Sequence, residues 1–217
     1  MSEDPETARQ IAELARDTRP LLVLDVDEVL LEFMVPFMRF LDAQGLAFSA
    51  RSFKLTGNIV DVKTQVPLDQ EAVSAQLDGF FHAQSEWQTA ALGAADAVAG
   101  LAAGAEIVLL TAMPHRHRDI RRRHLDALGF PYPLLTTERA KGPALKLLRG
   151  ETTRPVAFVD DIPHNLVSVR EAVADAHLFN LMSYREMRAF LPPLPDGIVI
   201  EDDWSQAAPK IATALGL

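Results

Sequence analysis

The sequence predicts an α/β protein with a doubly wound parallel sheet and a small helical domain inserted after the first strand. Short apolar runs that suit buried strands alternate with segments of helical spacing, as in βαβ units. Several of these runs end in a polar side chain. Parallel strands bring their carboxyl ends to one edge of the sheet, which is where ligands bind in this fold class.

The predicted core domain begins with residues 1–29. Ile11, Leu14 and Ala15 share one face of a helix predicted within the first twenty residues, and Pro20 ends that pattern. The apolar run at 21–25 then ends in a carboxylate. Such a run is typical of a strand that is buried on both faces of a parallel sheet.

Residues 30–93 are predicted as the inserted helical domain. Large apolar side chains recur at helical spacing over 33–41 and again over 71–84. The stretch at 49–66 between them is mixed and contains chain breakers.

Residues 94–217 are predicted to complete the core domain. Strands are expected at 106–111, 133–136, 155–161 and 176–181, with an edge strand at 197–200. Helices are expected at 94–103, 115–128, 142–148, 163–174, 184–190 and 204–215.

Composition excludes several classes of protein. The chain has no cysteine, so a disulfide scaffold, a thiolate nucleophile and Cys-ligated zinc are excluded. Its net charge of −9 argues against binding to a nucleic-acid polymer. The N-terminal segment lacks the apolar region of a signal peptide, and no run approaches the roughly 20 apolar residues of a membrane span. We therefore expect a cytoplasmic protein without a membrane partner, and the sequence gives no indication of oligomeric state.

The first candidate motif is the pair Asp25 and Asp27, which directly follows the first predicted strand. One of these carboxylates can attack phosphorus and form an acyl-phosphate. The other can protonate the leaving oxygen and later deprotonate water. Because the D-x-D pattern is common, the motif alone equally fits a turn with two solvated acids.

Two further candidates lie beyond the insertion. Thr111 ends an apolar strand, and its hydroxyl together with the N–H of Ala112 suits a phosphoryl oxygen. Thr residues also cap helices routinely, so this signal is weak alone. Lys141 precedes a predicted helix, where it can balance phosphoryl and carboxylate charge or lie on the surface.

The adjacent acids Asp160 and Asp161 end another apolar strand. Two acids in such a place are costly unless a cation uses them. Magnesium takes one or two carboxylates, keeps several waters and binds substrate phosphate. Asp25, a carboxylate of this pair and the backbone carbonyl of Asp27 are therefore the predicted Mg²⁺ ligands.

In this order, with each motif ending a strand or opening a helix, the set resembles the haloacid dehalogenase (HAD) superfamily. The resemblance covers about two thirds of the chain and implies a HAD-like Rossmannoid core. It also implies that residues 30–93 form a type-1 cap domain. The implied roles are Asp25 as nucleophile, Asp27 as general acid and base, Thr111 as phosphoryl ligand, Lys141 as charge-balancing lysine, and Asp160 and Asp161 as magnesium ligands.

The resemblance implies a hydrolase of the phosphatase branch. True dehalogenases lack the acid at the position of Asp27. The acidic pair is a plain Asp160–Asp161 instead of the family's GD-x-x-x-D form, which leaves open which acid contacts the metal. The expected reaction is magnesium-dependent hydrolysis of a small phosphorylated metabolite through an aspartyl-phosphate.

The substrate prediction rests on a fainter resemblance. The segment LLTAMPH and the cap position are similar to those of 5′(3′)-deoxyribonucleotidases, which favours a nucleoside monophosphate. The alternatives are a sugar or organic-acid phosphate, a phosphomutase reaction, and a non-catalytic module that binds a phosphometabolite. The last alternative predicts the loss of a catalytic residue, and none is lost.

The densest basic run, at 115–124, is predicted to be a solvated helix face. Arg116 lies in this run close to Thr111, and it is the predicted substrate contact.

Overall fold

The computed structural model describes residues 3–15 and 17–217. Six strands form one sheet in which every neighbouring pair is parallel. The strands of this sheet are β1 (Leu21–Leu24), β4 (Glu106–Thr111), β5 (Leu134–Thr136), β6 (Val156–Asp160), β7 (His177–Leu181) and β8 (Ile198–Glu201). Their order across the sheet is β5-β4-β1-β6-β7-β8, so β1 lies between β4 and β6.

Helices cover both faces of this sheet, as the sequence predicts. The core helices are α1 (Pro5–Ala12), α5 (Ala94–Ala102), α6 (Arg118–Ala127), α7 (Lys141–Arg149), α8 (Pro163–Ala172) and α9 (Trp204–Leu215). Successive side chains of a strand point to opposite faces. Leu22 and Leu24 pack in one apolar cluster with residues of α5 and α9, whereas Leu21 and Val23 pack in another with residues of α7 and α8.

The segment between β1 and α5 has a small core of its own. It contains α2 (Met34–Asp42), β2 (Leu46–Phe48), β3 (Ile59–Asp61), α3 (Gln70–His82) and α4 (Gln84–Trp87). Phe80 is buried in this core, and its ring lies 5.2 Å from that of Phe37 and 5.4 Å from that of Phe40. The sequence predicts the two longer helices but not the antiparallel hairpin of β2 and β3. We call residues 30–93 the insertion, and its boundaries stay a prediction.

Three predicted helices are shorter or tighter than expected. Within the first twenty residues the structure has only α1, and Met1, Ser2 and Arg16 lie outside the described residues. The helix expected at 115–128 starts with a 3-10 turn before α6, and the one expected at 184–190 is a 3-10 helix. In the described ranges of the chain, no helix is long and apolar enough to cross a bilayer.

Candidate active site

Three neighbouring strands deliver polar residues to one edge of the sheet. Asp25 follows β1, Thr111 is the last residue of β4, and Asp160 is the last residue of β6. Because β1 pairs with both β4 and β6, these strand ends are adjacent. Asp25, Thr111 and Asp161 line one cavity of about 550 Å³, which lies between this edge and the insertion.

A cluster of three carboxylates lies at the base of this cavity. Asp25, Asp160 and Asp161 are buried, and each offers an oxygen within 4.8 Å of the others. Burial raises the pKa of the Asp25 carboxyl to about 7, although the Lys141 cation acts in the opposite direction. Burial, with the charges of Asp160 and Asp25, also raises the pKa of Asp161 well above its ordinary value.

Lys141 is the cation of this cluster. It is the first residue of α7, and its Nζ atom lies 2.6 Å from Asp25 Oδ1 and 2.7 Å from Asp160 Oδ2. Burial alone would lower the pKa of Lys141, but the charges of Asp160 and Asp25 raise it above its ordinary value. The side chain is fully buried, so the alternative of a surface lysine is wrong.

The next residue, Gly142, allows α7 to reach this position. A Cβ atom on Gly142 would lie 2.1 Å from the carbonyl oxygen of Ser168 in α8, which is far inside van der Waals contact. Its N–H donates to the Ser168 hydroxyl across 3.1 Å. The close packing of the two helices therefore places Lys141 beneath the strand ends.

The two adjacent acids differ in their bonding. Asp160 accepts hydrogen bonds from Lys141, from the N–H of Ile162 at 2.8 Å and from Asn165 at 3.0 Å, so both of its oxygens are occupied. Asp161 lines the cavity, and no donor within residues 3–15 and 17–217 bonds to its carboxylate. Its backbone carbonyl accepts from Asn180 at 2.8 Å.

Asp27 is held by a residue that the sequence analysis assigned to a solvated face. Arg121 donates to Asp27 Oδ1 at 2.9 Å and to Asp27 Oδ2 at 3.2 Å. Gln88, which follows α4 in the insertion, also donates to Asp27 Oδ1 at 2.8 Å. Arg121 is fully buried, so the prediction of a solvated face is wrong at this residue, whereas Arg123 is exposed.

A helical pattern could have identified the buried side of this basic run. Arg121 lies four residues after His117, His124 and Leu125 follow Arg121 by three and four residues, and all four side chains are buried. This spacing was overlooked because the segment is rich in charged residues, and a run of charged residues usually lies on a solvated surface.

Glu28 is another site residue that the sequence analysis missed. It has a positive φ of 66°, which is uncommon for any residue with a side chain. Its buried carboxylate accepts from the N–H groups of Phe33 and Met34 at 3.1 and 2.6 Å, and from the N–H of Tyr184 at 2.6 Å. The hydroxyl of Ser183 donates to the same group. Glu28 thus joins the loop after Asp25 to the start of α2 and to the segment after β7.

The predicted phosphoryl and substrate contacts also line the cavity. Thr111 is buried, and Ala112 is exposed directly after it. Arg116 lines the cavity too, but its guanidinium group bonds Asp78 of α3, with Nε at 2.9 Å from Asp78 Oδ1. The side-chain hydrogen bonds of Arg116 and His117 lower the pKa of Asp78.

The fold of this chain is similar to that of solved HAD-like hydrolases. No protein-family model matches the sequence, and no curated protein matches it. Solved structures do match, and they confirm the predicted fold class and the resemblance to this superfamily at the level of the fold.

Three of the similar structures illustrate this likeness. A conserved haloacid dehalogenase-like protein of unknown function from Agrobacterium tumefaciens has a TM-score of 0.60 at 14% identity, over 92% of this chain and 100% of its own. A predicted phosphoglycolate phosphatase from Haemophilus somnus has a TM-score of 0.56 at 14% identity, over 89% and 98%. A HAD family hydrolase from Deinococcus radiodurans, solved with bound phosphate and sodium, has a TM-score of 0.52 at 16% identity, over 90% and 96%.

Proposed function

We propose that this protein is a magnesium-dependent phosphomonoester hydrolase whose nucleophile is Asp25. The observation that carries the proposal is the position of Asp25, which lines the cavity while its carboxylate bonds the buried Lys141. Asp161 lines the cavity beside it, and Asp27 follows two residues later. Phosphatases and HAD-family hydrolases among the similar structures support this reading of the fold.

The carboxylate cluster fits a magnesium ion. Three buried carboxylates face one buried ammonium group, so a divalent cation would offset the excess negative charge. We propose Asp25 and Asp161 as the direct carboxylate ligands, with the backbone carbonyl of Asp27, because donors of the protein already occupy both oxygens of Asp160. When bound, the ion would neutralise charge on the phosphoryl oxygens and orient them.

The proposed reaction has two steps, and Asp25 is the nucleophile in the first. One of its carboxylate oxygens bonds to phosphorus, the bond from phosphorus to the ester oxygen breaks, and Asp27 gives that oxygen a proton. Lys141 and the N–H of Ala112, with the Thr111 hydroxyl, stabilise the charge on the phosphoryl group. Asp27 then takes a proton from water, whose oxygen attacks phosphorus and releases phosphate and the free Asp25 carboxylate.

Asp27 must give up one of its present bonds before it can transfer a proton. Both of its oxygens accept from Arg121, and Oδ1 also accepts from Gln88 of the insertion. We propose that the insertion acts as a cap, and that its movement over bound substrate exchanges the Gln88 contact for one with the leaving oxygen. Arg121 would then keep the second oxygen of Asp27 in place.

The test of the nucleophile is phosphate release from 4-nitrophenyl phosphate with Mg²⁺. We expect Asp25→Asn to reduce turnover by at least about 10³-fold, because an amide oxygen is a poor nucleophile. The matched control is Asp42→Asn, which replaces an exposed aspartate of the insertion and should retain wild-type turnover. Wild-type turnover in a purified Asp25→Asn protein would contradict the mechanism.

Nucleoside monophosphates are the first substrates to test. A cavity of about 550 Å³ is within the ordinary range for small-molecule sites. A panel should compare deoxyribonucleoside and ribonucleoside monophosphates with sugar and organic-acid phosphates. Free phosphate as the product supports hydrolysis, whereas an isomerised phosphate ester would indicate a mutase.

A further inference from the structure

We propose that the cavity selects phosphate esters whose leaving group is uncharged and apolar or aromatic, and that it rejects a leaving group with a second anionic charge. This inference rests on the proposed function and defines the substrate class of the same site. It follows from two features of the cavity. Most of its lining is apolar, and Arg116, the one cationic side chain among the lining residues that the structure describes, is already paired with Asp78.

The lining of the cavity is rich in aromatic and thioether side chains. The insertion and the core both contribute to it. Its principal apolar members are Phe33, Phe53, Leu77, Phe81, Met113 and Met187. Aromatic rings and methionine sulfur make favourable contacts with a planar ring, and methionine adapts its shape to the ligand. A sugar or a short carboxylic acid would lose water here without gaining equivalent hydrogen bonds.

The charged side chains that line the cavity disfavour a second anion. Five carboxylates line the cavity, and among the lining residues that the structure describes, Arg116 has the one cationic side chain. That guanidinium group already bonds the Asp78 carboxylate through Nε and a terminal nitrogen. Lys141 lies behind the wall, between Asp25 and Asp160. An anionic leaving group would therefore meet acidic side chains and no unpaired cation.

Glu28 does not change this conclusion, although its carboxylate belongs to the wall. Four donors from the protein bond to its two oxygens. It therefore offers little hydrogen-bonding capacity to a ligand, while its negative charge still opposes an anion. The phosphoryl group is different, since Lys141 and the proposed metal ion compensate it at the opposite end of the cavity.

The first test measures binding of two phosphonates that cannot be hydrolysed, with Mg²⁺ present. These probes are 4-methylbenzylphosphonate and 4-carboxybenzylphosphonate, which share a ring and a phosphonate and differ in one charge. We expect the methyl compound to bind at least tenfold more tightly by calorimetry. Equal affinity, a difference below tenfold, or tighter binding of the carboxylate would overturn the proposal.

The second test frees the guanidinium group of Arg116 from its ion pair. Asp78→Asn removes the carboxylate that pairs with Arg116. The change keeps the shape of the side chain, and the amide oxygen can still accept from the buried His117. We expect this variant to narrow the affinity ratio of the two phosphonates by at least threefold. Glu71→Gln is the matched control, because it removes an exposed charge from the same helix outside the cavity and should leave the ratio unchanged. If the affinity ratio of the two phosphonates is unchanged in Asp78→Asn, the pairing of Arg116 with Asp78 does not cause the rejection of a second anion.

Turnover separates this inference from the proposed function. The matching esters are 4-methylphenyl phosphate and 4-carboxyphenyl phosphate, of which the second has the better leaving phenoxide. Faster hydrolysis of the methyl ester would therefore report selection by the cavity. If neither ester is hydrolysed but the phosphonates retain their tenfold difference, the hydrolase proposal fails and the binding preference stands. If both esters are hydrolysed without preference and the phosphonates bind equally, the preference fails and the hydrolase proposal stands.

Discussion

We expect Lys141 to be needed for both the stability and the activity of the protein, since it is the buried counter-ion of Asp25 and Asp160. We expect Lys141→Met to lower the free energy of unfolding by about 3–5 kcal/mol, because it leaves the buried carboxylates of Asp25 and Asp160 without their cation. The variant should also lose phosphatase turnover. Urea denaturation measures the first effect and phosphate release the second.

The control for this prediction lies on the same helix. Lys146 is exposed on α7, so Lys146→Met should change the free energy of unfolding by less than about 0.5 kcal/mol. An equal loss of stability in both variants would mean that the helix itself, and not the charge balance, is sensitive to methionine.

Magnesium is expected to stabilise the protein more at pH 7.5 than at pH 5.5. Burial raises the pKa of Asp25 to about 7, so without metal the folded state binds more protons than the unfolded state between about pH 4 and pH 7. Metal-free stability therefore falls as pH rises through this range. Metal ions bind the deprotonated ligands, so their stabilising effect grows over the same range.

Thermal unfolding with Mg²⁺ or with a chelator measures this effect. At a Mg²⁺ concentration of 100 times Kd, Tm should rise by about 5–10 °C at pH 7.5. Asp161→Asn should abolish most of this rise. It should also raise the metal-free Tm, because the pKa of Asp161 is raised and its charged form opposes folding. A full Mg²⁺ response in that variant would exclude Asp161 as a ligand.

At the scale of elements, α6 is the support of Asp27. Arg121→Met removes both guanidinium bonds to a half-buried carboxylate, and we expect the free energy of unfolding to fall by about 3 kcal/mol. Turnover should fall as well, since Asp27 loses its orientation. Arg123→Met on the exposed side of α6 is the control and should behave like wild type. Full turnover in Arg121→Met would show that Asp27 needs no such support.

The elements differ in how far local sequence could predict them. The strands of the core were predictable because continuous apolar runs such as 107–110 indicate burial on both faces of the sheet. The hairpin of β2 and β3 could not be predicted in this way. Each of its strands has only three residues, and the loop between them has a mixed sequence without a clear pattern. Arg121 was missed because its role depends on Asp27, which is remote in sequence.

At the scale of the whole molecule, the order of motifs predicted the edge of the sheet where the candidate site lies. It could not predict how the insertion meets the core. The contact between Asp78 and Arg116 depends on the tertiary position of α3, which no local pattern specifies. The apolar wall of the cavity has the same origin, because its residues come from both parts of the chain and are distant in sequence.

The hydrogen bonds of Glu28 limit how the insertion can move relative to the core. Its carboxylate, in the loop that follows Asp25, binds both the first residues of α2 and the segment after β7. If the insertion swings as a cap, the root of α2 stays nearly stationary and serves as the pivot. A movement of the insertion about this root would break the contact between Asp78 of α3 and Arg116 of the core.

Hydrogen exchange can locate that pivot. Glu28→Gln replaces an acceptor with a donor, and we expect faster exchange at the amides of Phe33, Met34 and Tyr184, with a stability loss of about 1–3 kcal/mol. Glu86→Gln on the exposed surface of α4 should leave these amides protected. If these amides exchange equally slowly in Glu28→Gln, Glu28 is not the pivot, and the insertion moves about another point.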